Sequence, residues 1–190
     1  MRPDIALSIA AGGLNVTAFA IYNWQTFFGT VRPNVVSWGV WAFLTVLNFT
    51  SYRAMTKDWV KSALPTISAV QCVLTFLLAL FVGSVRELGT YDTIVLGFGI
   101  MASLVWYTRK SPTAANMMLQ AGITIGFIPT FQSVWDAPQT EFALSWFLWT
   151  ISFLCNIAVV ILRWQGKWRD LVYNVNCAWM HLVVAVLALR

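Results

Sequence analysis

"SWGVWAFLTVLN", Ser37 to Asn48, returns 108 residues later as "SWFLWTISFLCN", Ser145 to Asn156. The Ser, both Trp and the closing Asn fall in register. On a helix, at 100° per residue, Ser37, Trp41 and Asn48 lie within about 40° of one another, with Leu44 and Thr45 beside them and Trp38 at the shoulder. The stretch rises roughly 16 Å, about half the hydrocarbon core of a bilayer. Each copy thus writes one stripe, with tryptophan toward a membrane face and a carboxamide toward the middle. A carboxamide facing lipid is costly, so Asn48 and Asn156 are expected to face protein or a cavity.

The rest of the chain agrees with a bilayer setting. Of 190 residues 59% are hydrophobic and only 10% charged, with a mean hydropathy of +0.71. A soluble domain of this size has too little interior to hide that much apolar surface. Seven apolar runs are long enough to be spans: about Ile5–Phe28, Val35–Tyr52, Val60–Val82, Thr93–Tyr107, Ala114–Val134, Phe142–Leu162 and Leu171–Leu189. Backbone exposed to lipid must bond to itself, so these are predicted helices and the protein an all-α integral membrane protein. Arg2, an apolar run and Ala18-Phe19-Ala20 mimic a signal peptide. The run continues to Phe28 without a polar c-region, however, and is read as helix one.

The charges sort by side. Arg2, Arg53, Lys57, Lys61, Arg109, Lys110, Arg163, Lys167 and Arg169 fall at the N-terminus and in loops 2–3, 4–5 and 6–7, against Arg32, Arg86 and Arg190 on the other side. The basic side is normally cytoplasmic, which predicts an inside N-terminus and an outside C-terminus. The net charge of +5 is thereby explained without nucleic acid, and the partners expected are membrane lipids, with a homo-oligomer open.

Two three-helix units in the same orientation need one linking helix between them. The predicted organisation is therefore residues 1–83 as a first bundle, 84–110 as linker helix four, and 111–190 as a second bundle. Gln71-Cys72 and Asn176-Cys177 give a fainter echo, 105 residues apart, on helices three and seven. Parallel repeats about the membrane normal are a transporter design.

This 3+1+3 layout, with the proline-containing stretches "IYNWQTFFGTVRPNVVSW" and "IPTFQSVWDAPQTEFALSW" ahead of each repeated stripe, resembles the SWEET, SemiSWEET and PQ-loop superfamily of transporters. The Trp-rich Pnu vitamin facilitators are similar in layout. The Pro-Gln dipeptide of the superfamily is absent. Pro129-Thr130 stands in its place, Ile21-Tyr22 in the first copy, and the charge bias puts loop 1–2 outside, opposite to the usual SWEET orientation. The resemblance implies alternating access with hinge prolines, for which Pro33 and Pro129 are the positions here.

A central site on a two-fold axis would draw on Asn48, Asn156, Trp41, Trp149, Gln71 and Asn176, carboxamides giving donors and acceptors and indoles a stacking face. Trp38 and Trp146, nearer the helix ends, are expected in the interfacial aromatic belt. Asp92 reads as the N-cap of helix four. Cys72, Cys155 and Cys177 lack metal spacing and read as buried hydrophobes, so neither metal nor cofactor is expected. No hydrolase, zinc-protease or phosphate-loop motif occurs, and His181 is the titratable residue read inside the spans, so an enzyme is not expected. With no buried acid or base to couple protons, the expectation is a uniporter for a small neutral polar solute such as a sugar or a vitamin-like molecule. The alternative is a non-transporting multi-pass subunit or assembly partner whose polar stripes only join helices.

Overall fold

The structure, a computed structural model, describes residues 1–29, 33–85 and 87–190. Among them the chain forms α1 (Pro3–Phe27), α2 (Val35–Thr56), α3 (Trp59–Val82), α4 (Thr90–Arg109), α5 (Pro112–Gly126), α6 (Ile128–Asp136), a 3₁₀ turn (Pro138–Thr140), α7 (Ala143–Leu162) and α8 (Arg169–Leu187). The only strand-like pairing among the described residues is one bridge, Asn34 to Ser84, which ties the start of α2 to the end of α3. Five helices, α1, α2, α3, α7 and α8, are long and apolar enough to cross a membrane. This fits a multi-pass membrane protein. The expected fourth and fifth spans fall short of that standard: α4 is less apolar, and the fifth is broken in two. The break follows from Pro129, which has no N–H to donate and crowds the preceding turn, so α5 stops at Gly126 and α6 restarts at Ile128.

Two connections use the same local chemistry. Lys57 closes α2 in the left-handed conformation, φ 52°, and Asp58 then caps α3 by accepting from the Val60 and Lys61 N–H groups. Lys110 closes α4 at φ 52°, and Ser111 caps α5 by accepting from Ala114 N–H. A two-residue link of this kind forces the flanking helices antiparallel. Asp92 is not the N-cap of α4. Gly89 holds that position, and Asp92 reaches back from the first turn to accept the Gly89 N–H at 3.1 Å.

Helix α3 lies between α1 and α2, and α8 lies between α7 and the α5–α6 rod. Across the molecule α1 packs on α7 and α2 on α5, while α4 leans on α5 and α2. Large exposed apolar side chains occur along the spans, as expected of a surface solvated by lipid. Trp24 and Trp135 are exposed near one end of the bundle, and Trp59, Trp164 and Trp168 near the other, an aromatic belt at each face.

Candidate functional site: an aromatic cavity open at one end

A cavity of about 540 Å³ runs from the end where α2, α4 and α7 begin to the middle of the bundle, within the usual size range of small-molecule sites. Both halves of the chain contribute to its wall: α1, α2 and α3 on one side, α5 to α8 on the other. The repeated tryptophans explain much of it. Trp38 and Trp41 from one copy face the same space as Trp146 and Trp149 from the other. Their rings interlock through neighbours: Trp146 and Trp149 have centroids 5.1 Å apart, Phe19 meets Trp149 at 4.9 Å, Tyr22 meets Trp38 at 5.3 Å, and Trp41 meets Phe127 at 5.4 Å. Edge-to-face packing of this kind stabilises beyond area burial. The expectation that Trp38 and Trp146 sit in the interfacial belt is thus corrected. Trp146 is only 9% exposed, because bonding to Glu141 at the start of α7 turns it inward.

Deeper in, His181 stands among Phe127, Trp146, Trp149 and Phe153, with centroids 5.1 to 5.6 Å away. Its Nδ1 lies 2.6 Å from the Cys177 carbonyl. A carbonyl cannot donate, so Nδ1 carries the proton and a neutral ring keeps Nε2 as an acceptor. Cys72 and Cys177, partners in the fainter repeat, both line the cavity. Four residues of the wall, Asn15, Asn34, Ser68 and Trp149, each carry a buried polar side-chain atom with no hydrogen-bond partner in the protein. A buried polar atom without a protein partner bonds to water or to a bound molecule when one is within reach.

Of the expected site residues, Trp41, Trp149, Pro33 and Pro129 line the cavity, and Asn48, Asn156, Gln71 and Asn176 do not. Asn48 is 1% exposed and its Oδ1 accepts from Gln120 Nε2 at 2.8 Å and Asn116 Nδ2 at 3.1 Å, joining α2 to α5. Asn156 donates to Asn174 Oδ1 at 2.8 Å and to the Lys61 carbonyl at 3.3 Å. That carbonyl is free because Pro65, inside α3, lacks the N–H that would bond it. Asn156 therefore compensates a proline one turn away in another helix. Asn176 accepts from Thr124 and donates to the Gln120 carbonyl, joining α8 to α5, and Gln71 is half-buried on α3. The two Asn of the stripe do not meet across an axis. They belong to separate interhelical clusters.

The opposite end of the cavity is closed. Tyr173 forms part of its floor, with the Tyr52 ring 5.6 Å behind it. Tyr52 donates its hydroxyl proton to the Asp170 carbonyl at 2.7 Å and accepts from Asn174 Nδ2 at 3.2 Å. Below these, Lys61 Nζ meets Asp170 Oδ2 at 2.8 Å, both side chains being at most 1% exposed. Arg163 bonds Asp58 Oδ2 at 2.7 Å and also Asp4. Every one of these contacts joins α1–α3 to α7–α8 or to the α7–α8 connection. A buried acid and base are therefore present, contrary to the sequence reading. Lys61 and Asp170 sit in the first turns of α3 and α8, where a sequence shows only loop-side charge. Burial pushes the Asp58 carboxyl up, but the Arg163 guanidinium and the Lys61 and Val60 N–H groups outweigh it and hold it below its ordinary value.

Among the described residues no group of His, Cys, Asp and Glu could hold a metal ion. No family model, no curated protein and no solved structure matches this chain.

Proposed function

We propose that the chain is a facilitative transporter, in which two three-helix units, α1–α3 and α5–α8, rock about the cavity between them. The carrying observation is the cavity itself, lined by both halves, open at one end and closed at the other by contacts that bridge the halves. A protein built only to hold neighbours has no need of that space. The unit pairing is supported by adjacency: α3 between α1 and α2 is matched by α8 between α7 and the α5–α6 rod, and α1 on α7 is matched by α5 on α2. Such a correspondence follows from two parallel copies about an axis along the membrane normal. In this reading α4, together with the broken α5–α6 rod, completes seven crossings, and both expected hinge prolines line the cavity.

The positive-inside rule places the closed, charged end in the cytoplasm and the aromatic mouth outside. The geometry is then an outward-facing state. Lys61 and Asp170 lie outside the cavity wall and pair with each other, so they act as a closure between the halves and transport is uniport. The test is counterflow into liposomes holding the pure protein, screened over labelled sugars, vitamins and small organic cations. Saturable uptake above empty liposomes, unchanged by an imposed proton gradient, supports the proposal. Exclusion of every solute, together with Cys72 and Cys177 that react with a small thiol reagent from neither face, overturns it.

A further inference from the structure

We infer that the solute of this cavity is a small organic cation whose charge is clad in carbon, an N-methylated ammonium or an N-alkylated heteroaromatic ring. For transport the inference rests on the function proposed above; for binding it stands on the cavity alone. It replaces the neutral solute expected from the sequence.

Aromatic faces carry negative charge density and attract cations, most effectively where water is excluded. Here Trp38, Trp41, Trp146 and Trp149 converge on one space between the halves. Among the described residues that line it, the formally charged ones are Glu141 and Asp92, and none is Lys or Arg. Asp92 is already engaged by Ser37 Oγ at 3.0 Å and by Gly89 N–H. Glu141 is the residue that couples charge to the rings. Its Oε2 accepts from Trp146 Nε1 at 2.9 Å, and that indole packs directly on Trp149 and His181. A carboxylate bonded to an indole N–H pushes electron density into the ring, so the face nearest the solute becomes more negative.

The class of cation follows from what the wall lacks. An inorganic ion or a primary ammonium gives up strong hydration and needs several converging oxygens in exchange. Among the described residues no three acidic, His or Cys side chains gather in the wall to replace that hydration. A methylated or ring nitrogen is weakly hydrated and loses little on entering an aromatic box. Its neutral arm then has Asn15 Oδ1 to donate to and Trp149 Nε1 to accept from, two of the wall atoms that the protein leaves unpaired. Burial raises the Glu141 carboxyl above its ordinary value, with the Trp146 N–H opposing.

The experiment is titration of the purified protein in detergent, read by calorimetry and by tryptophan fluorescence. The probes are choline and 1-methylnicotinamide, the neutral choline isostere 3,3-dimethylbutan-1-ol, and potassium chloride at matched ionic strength. Saturable binding of either cation at least tenfold tighter than the neutral isostere, with no response to potassium, supports the inference. Glu141→Gln is expected to weaken the cation about tenfold and leave the isostere unchanged. Trp146→Phe keeps an aromatic side chain but loses the N–H bond, and is expected to weaken the cation about threefold. An isostere that binds as tightly as choline, no saturable binding of either cation to folded protein, or full cation affinity in both variants each overturns it. Cation binding without uptake in liposomes overturns the transport reading and leaves this one standing. Saturable uptake of neutral solutes with no preference for the cations does the reverse.

Discussion

The two ends of the helix bundle meet the same problem with different chemistry. At the mouth, the indoles of α2 and α7 meet neighbouring rings and leave space between them. At the closed end, Lys61, Asp170, Arg163, Asp58 and Asp4 draw the halves together through charge-assisted bonds. Aromatic packing is tolerant of small shifts, because its energy is spread over many contacts. Buried ion pairs are not, since each member is costly without the other. The mouth can therefore change shape gradually, whereas the closed end opens as a unit or stays shut. That division suits the rocking transport proposed above.

The largest effect is expected where that seal is cut. Asp170→Leu leaves Lys61 charged and buried without its partner, and is expected to destabilise the protein by about 3–5 kcal/mol. The loss is read as melting temperature in detergent. The double change Lys61→Met with Asp170→Leu removes both charges and is expected to recover most of it. A double variant as unstable as the single one would mean that the pair matters for something besides mutual neutralisation, and the contrast between the two ends would weaken. At the mouth, Trp149→Ala opens a void among Phe19, Tyr22, Trp146 and His181 and is expected to cost about 3 kcal/mol. A loss under about 1 kcal/mol there would show that the aromatic wall is not packed as the ring distances indicate.

A smaller effect is expected at the two asparagines. Asn156→Leu takes a partner from the Lys61 carbonyl and from Asn174 Oδ1, and Asn48→Leu takes one from Gln120 and one from Asn116, which keeps Ser51. Interhelical bonds of this kind average only about 0.6 kcal/mol within membranes. Each change is expected to lower stability modestly and leave solute affinity within about twofold, since neither residue lines the cavity. Loss of affinity at unchanged stability would return these residues to the site.

Much of the fold was legible because lipid permits so few backbone solutions: the apolar runs mark the helices to within a few residues. The broken fifth segment was not read as two helices, although Pro129 was in view, because an apolar run looks the same whether its helix kinks or continues. The site divided along a physical line. Trp41 and Trp149 could be read from their repeat, since an indole inside a bundle has few uses. The Asn at the foot of each stripe looked equally suited to a solute and to a neighbouring helix. What decided between them was Pro65 in one case and Gln120 with Asn116 in the other, all distant in sequence. Glu141 was missed because a carboxylate just outside a span reads as solvated loop. Its one signal was the Trp five residues on. Lys61 and Asp170 were missed for the same reason, and their pairing spans 109 residues.

A comparably small effect tests whether the closed end depends on charge or only on hydrogen bonds. Asp58 both caps α3 and bonds Arg163, and Asn is an equally good N-cap. Asp58→Asn therefore keeps the cap and removes the charge facing Arg163, which retains Asp4 as a partner. A cost of about 1 kcal/mol is expected at neutral pH. Because the Asp58 pKa is lowered on folding, its charge stabilises fully above the unfolded carboxylate value of about 4 and loses that effect as pH falls through the lower folded value. Other carboxylates titrate over the same range, so the informative quantity is the gap in melting temperature between the natural protein and Asp58→Asn. That gap is expected to hold from pH 7 to pH 5 and to shrink toward pH 3. A gap that persists at pH 3 would assign the contribution to geometry, and the closed end would then be held by shape, as the mouth is.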